Sequence, residues 1–218
     1  MNELYKGLVV AALLMLVQMT FYWAVKPATR GRRHHSAAVA WDARLPYVPA
    51  FSVIYLGCFL FWIASYALAA RAGGELLLRV ALTAVLVNMT AAVIFVVFPT
   101  EIERPEITCG GLYGFLLRVI YFFDSPVNLF PSLHCAISWL CVLAAFGAPL
   151  SLGWKLFALA FALAVFASTV LIRQHYLLDI LGGWALTQLV WMLTAHTPRL
   201  LERTETLLTA AWEIFGLS

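Results

Sequence analysis

Residues Phe123–His134, FDSPVNLFPSLH, form a polar stretch with two prolines between strongly apolar runs. Proline is favoured at the first position of a helix, so the stretch predicts a loop that becomes a helix at Pro131, with Asn128 or Ser125 as its cap. His134 would lie in the first turn of this helix. Because the first amides of a helix are unpaired and the helix dipole adds positive charge there, this helix start is suited to an anion.

Two side chains of the same stretch suggest chemistry on a bound anion. Ser132 offers a hydroxyl donor, and His134 would give a proton to a leaving oxygen. The alternative, from these residues alone, is a capped helix with a histidine at the membrane interface.

A second polar segment, residues 173–179 with the sequence RQHYLLD, lies further along the chain. His175 and Asp179 are four positions apart, which places them on one face of a helix. A carboxylate that accepts the Nδ1 proton of an imidazole leaves the Nε2 lone pair free to attack, and it stabilises the imidazolium that forms. The alternative is a structural His–Asp pair at the interface.

Two arginines are candidate phosphate ligands, because a planar guanidinium can bind phosphate oxygens through two parallel hydrogen bonds. Arg104 precedes Pro105 after the break at Pro99, and Arg173 lies two residues before His175. The alternative for each is a long side chain that reaches the lipid head groups.

The composition around these segments is that of a membrane protein. Of the 218 residues, 63% are hydrophobic and 11% are charged, whereas a soluble domain has about 25% charged residues. Six apolar runs are long enough, or nearly so, to cross a bilayer core of about 30 Å as helices. They are Gly7–Val25, Val48–Ala70, Leu76–Phe98, Pro131–Ala148, Leu152–Ile172 and Tyr176–Ala195. We therefore expect an all-α fold, with six transmembrane helices in one bundle and a single domain over residues 1–218.

The remaining segments predict the surface of this domain. The first apolar run continues to Lys26 without a cleavage site of small residues, so we interpret it as a retained helix rather than a signal peptide. Residues 113–123 are apolar enough for a short interfacial or re-entrant helix. Residues 198–218 carry apolar side chains at helical spacing, which predicts an amphipathic helix on the membrane surface.

Charge and cysteine content limit the class of protein. A net charge of +3 does not indicate nucleic acid and fits contact with anionic lipid. Lys and Arg are spread over both predicted sides, so the positive-inside rule gives no orientation. The four cysteines contain no C-x-x-C pair, and we interpret them as small buried residues. We expect an integral membrane protein of the plasma (inner) membrane of a bacterium.

The polar motifs, in this order and spacing, resemble the type 2 phosphatidic acid phosphatase superfamily over residues 99–183. The motifs are Arg104-Pro105, Pro131-Ser132-Leu133-His134 and His175-x-x-x-Asp179. The segments FPSLH and RQHYLLD most resemble the sequences of its inositolphosphotransferase branch, the relatives of fungal inositol phosphorylceramide synthase. The resemblance implies an enzyme that works without metal or other cofactor. It would transfer a phosphoryl or phospho-head group from a membrane lipid to water, as a phosphatase, or to an alcohol or lipid acceptor.

The resemblance also implies a role for each motif residue. His175 corresponds to the nucleophile that forms a phosphohistidine, Asp179 to its orienting carboxylate, and His134 to the general acid. Arg104, Ser132 and Leu133 occupy phosphate-binding positions.

The chain departs from the family signature where that signature has a lysine, a glycine and an arginine. Val97, Leu133 and Thr169 stand there instead, and Arg173 is our candidate to replace one missing cation. A phosphomonoester carries roughly −1.5 to −2 charges near neutral pH, whereas a phosphodiester carries one. A site with fewer cations therefore favours a diester, and hence transfer of a head group between alcohols.

Two other classes of function remain open at this point. In a haem or metal protein His134 and His175 would be ligands, which leaves Asp179 and the Pro-Ser context unexplained. A transporter or scaffold would need no chemistry, but the lack of charges deep within the spans argues against a coupled pump.

Overall fold

The computed structural model describes residues 3–196, so the amphipathic helix predicted at residues 198–218 lies outside the described residues. Within that range the chain forms helices, with two isolated β-bridges between loops and no strands, and the all-α prediction is confirmed there. The helices are α1 (Glu3–Thr29), α2 (Ser52–Ala72), α3 (Gly74–Val97), α4 (Gly111–Phe123), α5 (Leu133–Gly147), α6 (Leu152–Leu171) and α7 (Leu177–Ala195). Two short 3-10 turns, Asp42–Arg44 and Pro49–Phe51, precede α2.

Five of these helices, α1, α2, α3, α6 and α7, are long and apolar enough to cross a membrane. They correspond to five of the six predicted runs, so the chain is an integral membrane protein by length and composition. The sixth run forms α5, which has only 15 residues, fewer than the about 20 that a bilayer core requires. It is shorter because residues up to Ser132 are extended loop. The short helix expected over residues 113–123 is α4, with 13 residues.

The helices pack around α5, which contacts α2, α3, α6 and α7, while α1 packs against α2 and α3. The main core joins Trp62 of α2, Leu140 of α5 and Val165 of α6, all fully buried. Trp62 donates its indole N–H to the Ser138 hydroxyl at 3.0 Å, so this core leaves the indole satisfied. The four cysteines are free and lie in or beside the core, three of them buried and Cys109 half-buried.

A close contact between the starts of α5 and α7 depends on Gly183. A Cβ atom at this position would lie 2.3 Å from the Ser132 carbonyl oxygen, closer than any side chain tolerates. Without it, the two backbones come near enough for the Ser132 amide to donate to the Asp179 carbonyl at 3.0 Å. This contact fixes the relative position of the two polar motifs.

The loops at the same end of the bundle are joined by backbone hydrogen bonds. The His35 amide donates to the Pro99 carbonyl at 2.9 Å, and the Asn128 amide donates to the Thr100 carbonyl at 2.7 Å. The connections after α1, α3, α4 and α6 therefore meet at one end, which we call the polar end.

Candidate active site

His134 and His175 lie side by side at the polar end. His134 is in the first turn of α5 and His175 stands just before α7, with 6.2 Å between their ring centroids. Both line one open cleft. Its other lining residues are Gln18, Met19, Tyr22, Tyr55, Phe95, Asp124, Ser125, Asn128, Leu129, Pro131, Leu133 and Gln174.

His175 is held by a buried carboxylate. Its Nδ1 atom lies 3.3 Å from Asp179 Oδ2, and Asp179 is 0% exposed. The same carboxylate oxygen accepts the Tyr176 amide at 2.9 Å, which fixes the side chain at the start of α7. Asp179 therefore accepts the Nδ1 proton of His175 and directs Nε2 away from itself.

The turn that presents His175 is built from backbone bonds at the end of α6. The amides of Gln174 and His175 both donate to the Thr169 carbonyl, at 2.9 and 3.1 Å. Arg173 adopts a left-handed conformation, with φ of 55°. Together these features end α6 and turn the chain toward the cleft before α7 begins.

His134 has an aromatic and hydrogen-bonded environment. Its ring stacks on Tyr55 with 4.3 Å between centroids and also lies near Phe59 and Trp62. Its Nδ1 atom is 3.2 Å from the Tyr55 hydroxyl, which is itself 2.7 Å from Asp124 Oδ2. Its Nε2 atom is buried and has no hydrogen-bond partner among residues 3–196.

Arg104 adjoins the cleft from the loop after α3. Its guanidinium donates to the carbonyl of Asp124 at 2.9 Å and to the side-chain oxygen of Gln174, and it lies over the Tyr121 ring. Burial lowers the pKa of Arg104 below its ordinary value, while the nearby Tyr55, Tyr121 and Asp124 counteract that effect. An anion bound beside it would favour its charged form.

The start of α5 differs from the sequence expectation in one respect. The helix begins at Leu133 rather than Pro131, and Ser132 is its cap, with the Cys135 amide donating to the Ser132 hydroxyl at 3.4 Å. Asn128, expected as a cap, instead donates its side-chain N–H to Thr29 at 3.1 Å. The amide of Leu133 is then the first of the helix, and Leu133 itself lines the cleft.

Arg173 is not brought into the cleft. Its two terminal nitrogens donate to the carbonyls of Asp42 and Leu45, at 2.8 and 2.6 Å. Asp42 in turn accepts the Leu177 amide at 2.9 Å, at the start of α7. The Arg173 guanidinium is bonded to the loop after α1 and does not line the cleft, so this geometry does not support the expected replacement of a missing phosphate ligand by Arg173. Thr169, at the position of the family arginine, is buried and bonds its own helix.

Several polar atoms around the cleft are buried without a partner among the described residues. They include Gln174 Nε2, Asn128 Oδ1 and the second oxygen of Asp179, besides His134 Nε2. Buried polar groups without partners are costly. A concentration of them around one cleft is what a site for a polar ligand requires.

Sequence reasoning missed Tyr55, Asp124 and Gln174. Asp124 and Gln174 lie inside the two polar segments, so an acidic or amide side chain within these segments was a usable signal. Tyr55 lies in the second apolar run, where nothing distinguishes it from a lipid-facing or core tyrosine. Within residues 3–196, no group of three or more His, Cys, Asp and Glu side chains could hold a metal ion.

The fold and these residues define a polytopic helical membrane protein with a His–His–Asp site at one end of its bundle. Residues 122–210 match the family model of the PAP2 superfamily, the superfamily that the sequence motifs resemble. The match includes the motifs of His134 and His175 and begins after Arg104. It supports the superfamily and, with it, phosphatase or phosphotransferase activity in general. No curated protein and no solved structure shows significant similarity to the chain.

Proposed function

We propose that this protein transfers a phosphoryl or phospho-head group from a membrane lipid, through a phosphohistidine on His175, to water or to an alcohol. The observation that carries the proposal is the pairing of His134 and His175, 6.2 Å apart between ring centroids, with Asp179 3.3 Å from His175 Nδ1. One histidine is oriented as a nucleophile, and the other lies beside the same cleft as a proton donor.

The reaction has two steps. In the first, His175 Nε2 attacks phosphorus, and an N–P bond forms as the bond to the leaving oxygen breaks. His134 enters this step as the imidazolium and gives its Nε2 proton to that oxygen, which leaves as an alcohol. In the second, water or an acceptor alcohol attacks phosphorus and the N–P bond breaks. His134 takes the proton of the attacking group, and Asp179 stabilises the charge on His175 throughout.

The start of α5 and Arg104 are the proposed phosphate ligands. The amide of Leu133, the hydroxyl of Ser132 and the helix dipole would contact phosphate oxygens, and Arg104 would add a cation from the edge of the cleft. We assign Arg173 to holding the loop at Asp42 and Leu45 instead.

The charge of the cleft favours a phosphodiester. The residues that line it include no Lys and no Arg. The positive charge of Arg104 at its edge can balance one negative charge on a phosphate but not two. This supports head-group transfer between alcohols, in the manner of the inositolphosphotransferase branch, in the inner membrane of a bacterium.

An apolar groove beside the cleft supports a lipid substrate. It lies between α1, α2 and α4, and it shares Tyr22, Tyr55 and Asp124 with the cleft. Its other walls are mainly apolar, among them Met15, Trp23, Leu56, Phe59, Val119 and Phe123. A molecule with its phosphate near His175 could therefore place a hydrocarbon chain in this groove.

The test uses purified protein in lipid vesicles with radiolabelled lipid phosphates and phosphodiesters. Release of phosphate and transfer of a head group to a second lipid are scored separately, with and without EDTA. We expect turnover of at least one substrate class, retained with the chelator and lost in His175→Ala. Absence of turnover across the panel would contradict the proposal, and recovery by one divalent ion after EDTA would show that the histidines bind metal.

A further inference from the structure

Asp124, Tyr55 and His134 form a hydrogen-bonded chain that ends at the cleft. The Tyr55 hydroxyl lies 2.7 Å from Asp124 Oδ2 and 3.2 Å from His134 Nδ1. Tyr55 is 1% exposed, and its ring covers one face of the imidazole. The phenol in the middle of the chain is therefore shielded from bulk water, whereas Asp124 and His134 are half-buried.

The position of each proton follows from the chemistry of the three groups. An ionised carboxylate only accepts, and a phenol has a single proton to donate. The Tyr55 hydroxyl donates its proton to Asp124, which is the shorter of the two contacts. The Tyr55 oxygen therefore accepts the Nδ1 proton of His134. Nε2, which has no partner among the described residues, is then the nitrogen that exchanges protons with a substrate.

We propose that Tyr55 and Asp124 are positioning residues for His134, an inference that rests on the proposed function. They hold the imidazole with its proton on Nδ1 and stabilise the imidazolium through one intervening hydroxyl. The site then contains two His–carboxylate pairs. Asp179 acts on His175 directly, and Asp124 acts on His134 through Tyr55.

The intervening phenol suits the task of a proton donor. A carboxylate in direct contact would stabilise the imidazolium strongly and would oppose loss of its proton. A phenol transmits less of that charge, so His134 can release its proton to the leaving oxygen and recover one in the second step. His175 keeps its Nδ1 proton through the cycle, and a direct carboxylate stabilises it in that state.

The backbone around Asp124 holds this side chain in place. Its amide donates to the Ile120 carbonyl at 2.8 Å, and its carbonyl accepts from Arg104 at 2.9 Å. Arg104 thus contacts the chain of three residues at its far end, through the peptide group and not through the carboxylate.

The kinetic test is Tyr55→Phe, which keeps the ring and removes the hydroxyl. For lipid substrates with alkoxide leaving groups we expect kcat to fall about tenfold or more, but by no more than the roughly 10²–10⁴-fold that a general acid supplies, with KM unchanged. A nitrophenyl ester, whose leaving group needs little protonation, should be turned over at nearly the wild-type rate. Asp124→Asn should show the same pattern with a smaller loss, because asparagine accepts the phenol proton without a charge.

Tyr66→Phe is the matched control. Tyr66 lies on the same helix and is 2% exposed, but it does not line the cleft, so its substitution should leave both substrates unaffected. Equal losses on alkyl and nitrophenyl substrates in Tyr55→Phe, or no loss on either, would overturn the inference while leaving the proposed function intact.

A second measurement does not depend on activity. Nitrogen-15 NMR of histidine-labelled protein, with His134 assigned by its absence in His134→Ala, reports which ring nitrogen carries the proton. At a pH where His134 is neutral, we expect Nδ1–H in the wild type and a mixture of tautomers in Tyr55→Phe. The same tautomer in both proteins would contradict the positioning role of Tyr55 and Asp124. An inactive wild type that shows the expected change would instead reject only the proposed function.

Discussion

At the residue scale, the two histidines of the cleft differ in their surroundings. His175 contacts the buried carboxylate of Asp179, whereas His134 is enclosed by aromatic rings and reaches a carboxylate only through Tyr55. A directly paired imidazole is the better nucleophile, and a cleft-lining imidazole without a direct carboxylate partner can exchange a proton through Nε2. Their variants should therefore fail in different ways.

For the nucleophile, His175→Ala should form no phosphoenzyme, because no other group replaces the attacking nitrogen. The measurement is acid-labile, base-stable labelling in rapidly quenched reactions with radiolabelled substrate. His196→Ala is the control, since His196 lies at the far end of α7 and its loss should leave labelling unchanged. Equal labelling of wild type and His175→Ala would refute the assignment, and the Ser132 hydroxyl would become the next candidate nucleophile.

For the proton donor, His134→Ala should slow substrates with alkoxide leaving groups by roughly 10²–10⁴-fold and spare nitrophenyl esters. Steady-state kinetics on the two substrate classes measures this difference. Asp179→Asn should behave otherwise and lose most activity on both classes, because it alters the tautomer and charge of the nucleophile. If His134→Ala lost both substrates equally, its role would be binding or structure.

At the element scale, the contact between α5 and α7 holds the two motifs together. Gly183→Ala would place a methyl group against the Ser132 carbonyl and force the helix starts apart. We expect a loss of about 1–3 kcal/mol in the free energy of unfolding, with a drop in activity as His134 and His175 separate. Thermal unfolding and turnover are the measurements.

The matched control is Gly153→Ala in the first turn of α6, where an added Cβ meets nothing closer than 3.9 Å. Alanine favours a helix over glycine by roughly 0.5–1 kcal/mol, so this variant should be as stable as the wild type or more so. A Gly183→Ala protein with unchanged stability and activity would contradict the importance of the close approach.

The loop after α1 is a second element whose position affects the site. Arg173→Ala removes the donors to the carbonyls of Asp42 and Leu45 and should cost about 1–3 kcal/mol of unfolding free energy. Because Asp42 also accepts the Leu177 amide, the start of α7 should loosen. A phosphate ligand would behave differently: KM would rise sharply with no change in thermal stability, and that result would restore Arg173 to the substrate site.

At the scale of the whole molecule, the polar end lies at one side of the bundle and the other connections lie opposite. Gly147, at the end of α5, approaches Leu76 at the start of α3, which joins the ends that face away from the cleft. Single cysteines at the exposed Arg33 and Glu103 should therefore be labelled from one side of a vesicle. Cysteines at the exposed Gly74 and Ser151 should be labelled from the other.

The labelling experiment uses a membrane-impermeant maleimide on a background without the four native cysteines. The expected result is the same for either orientation of the protein in the membrane, because the test asks only which positions are labelled from the same side. Labelling of the Arg33 and Glu103 positions from opposite sides would contradict a single polar end.

The sequence by itself determined that this is a helical membrane protein, and it predicted which motifs carry chemistry. Long apolar runs have to form helices in lipid, because no water satisfies the backbone there. The spacing of His175 and Asp179 places both on one helical face regardless of what packs around them. The polar stretch before α5 likewise identified His134 and Ser132 from local signals alone.

Only the tertiary structure decided the length of α5, the position of Arg173 and the partners of His134. Tyr55, Asp124 and His134 are far apart along the chain, and they meet only because α2 and the end of α4 pack beside the start of α5. Arg173 is as close to His175 in sequence as a phosphate ligand would be, yet its side chain is bonded to the loop after α1. Such contacts depend on packing between distant segments, which the local pattern of residue types does not encode.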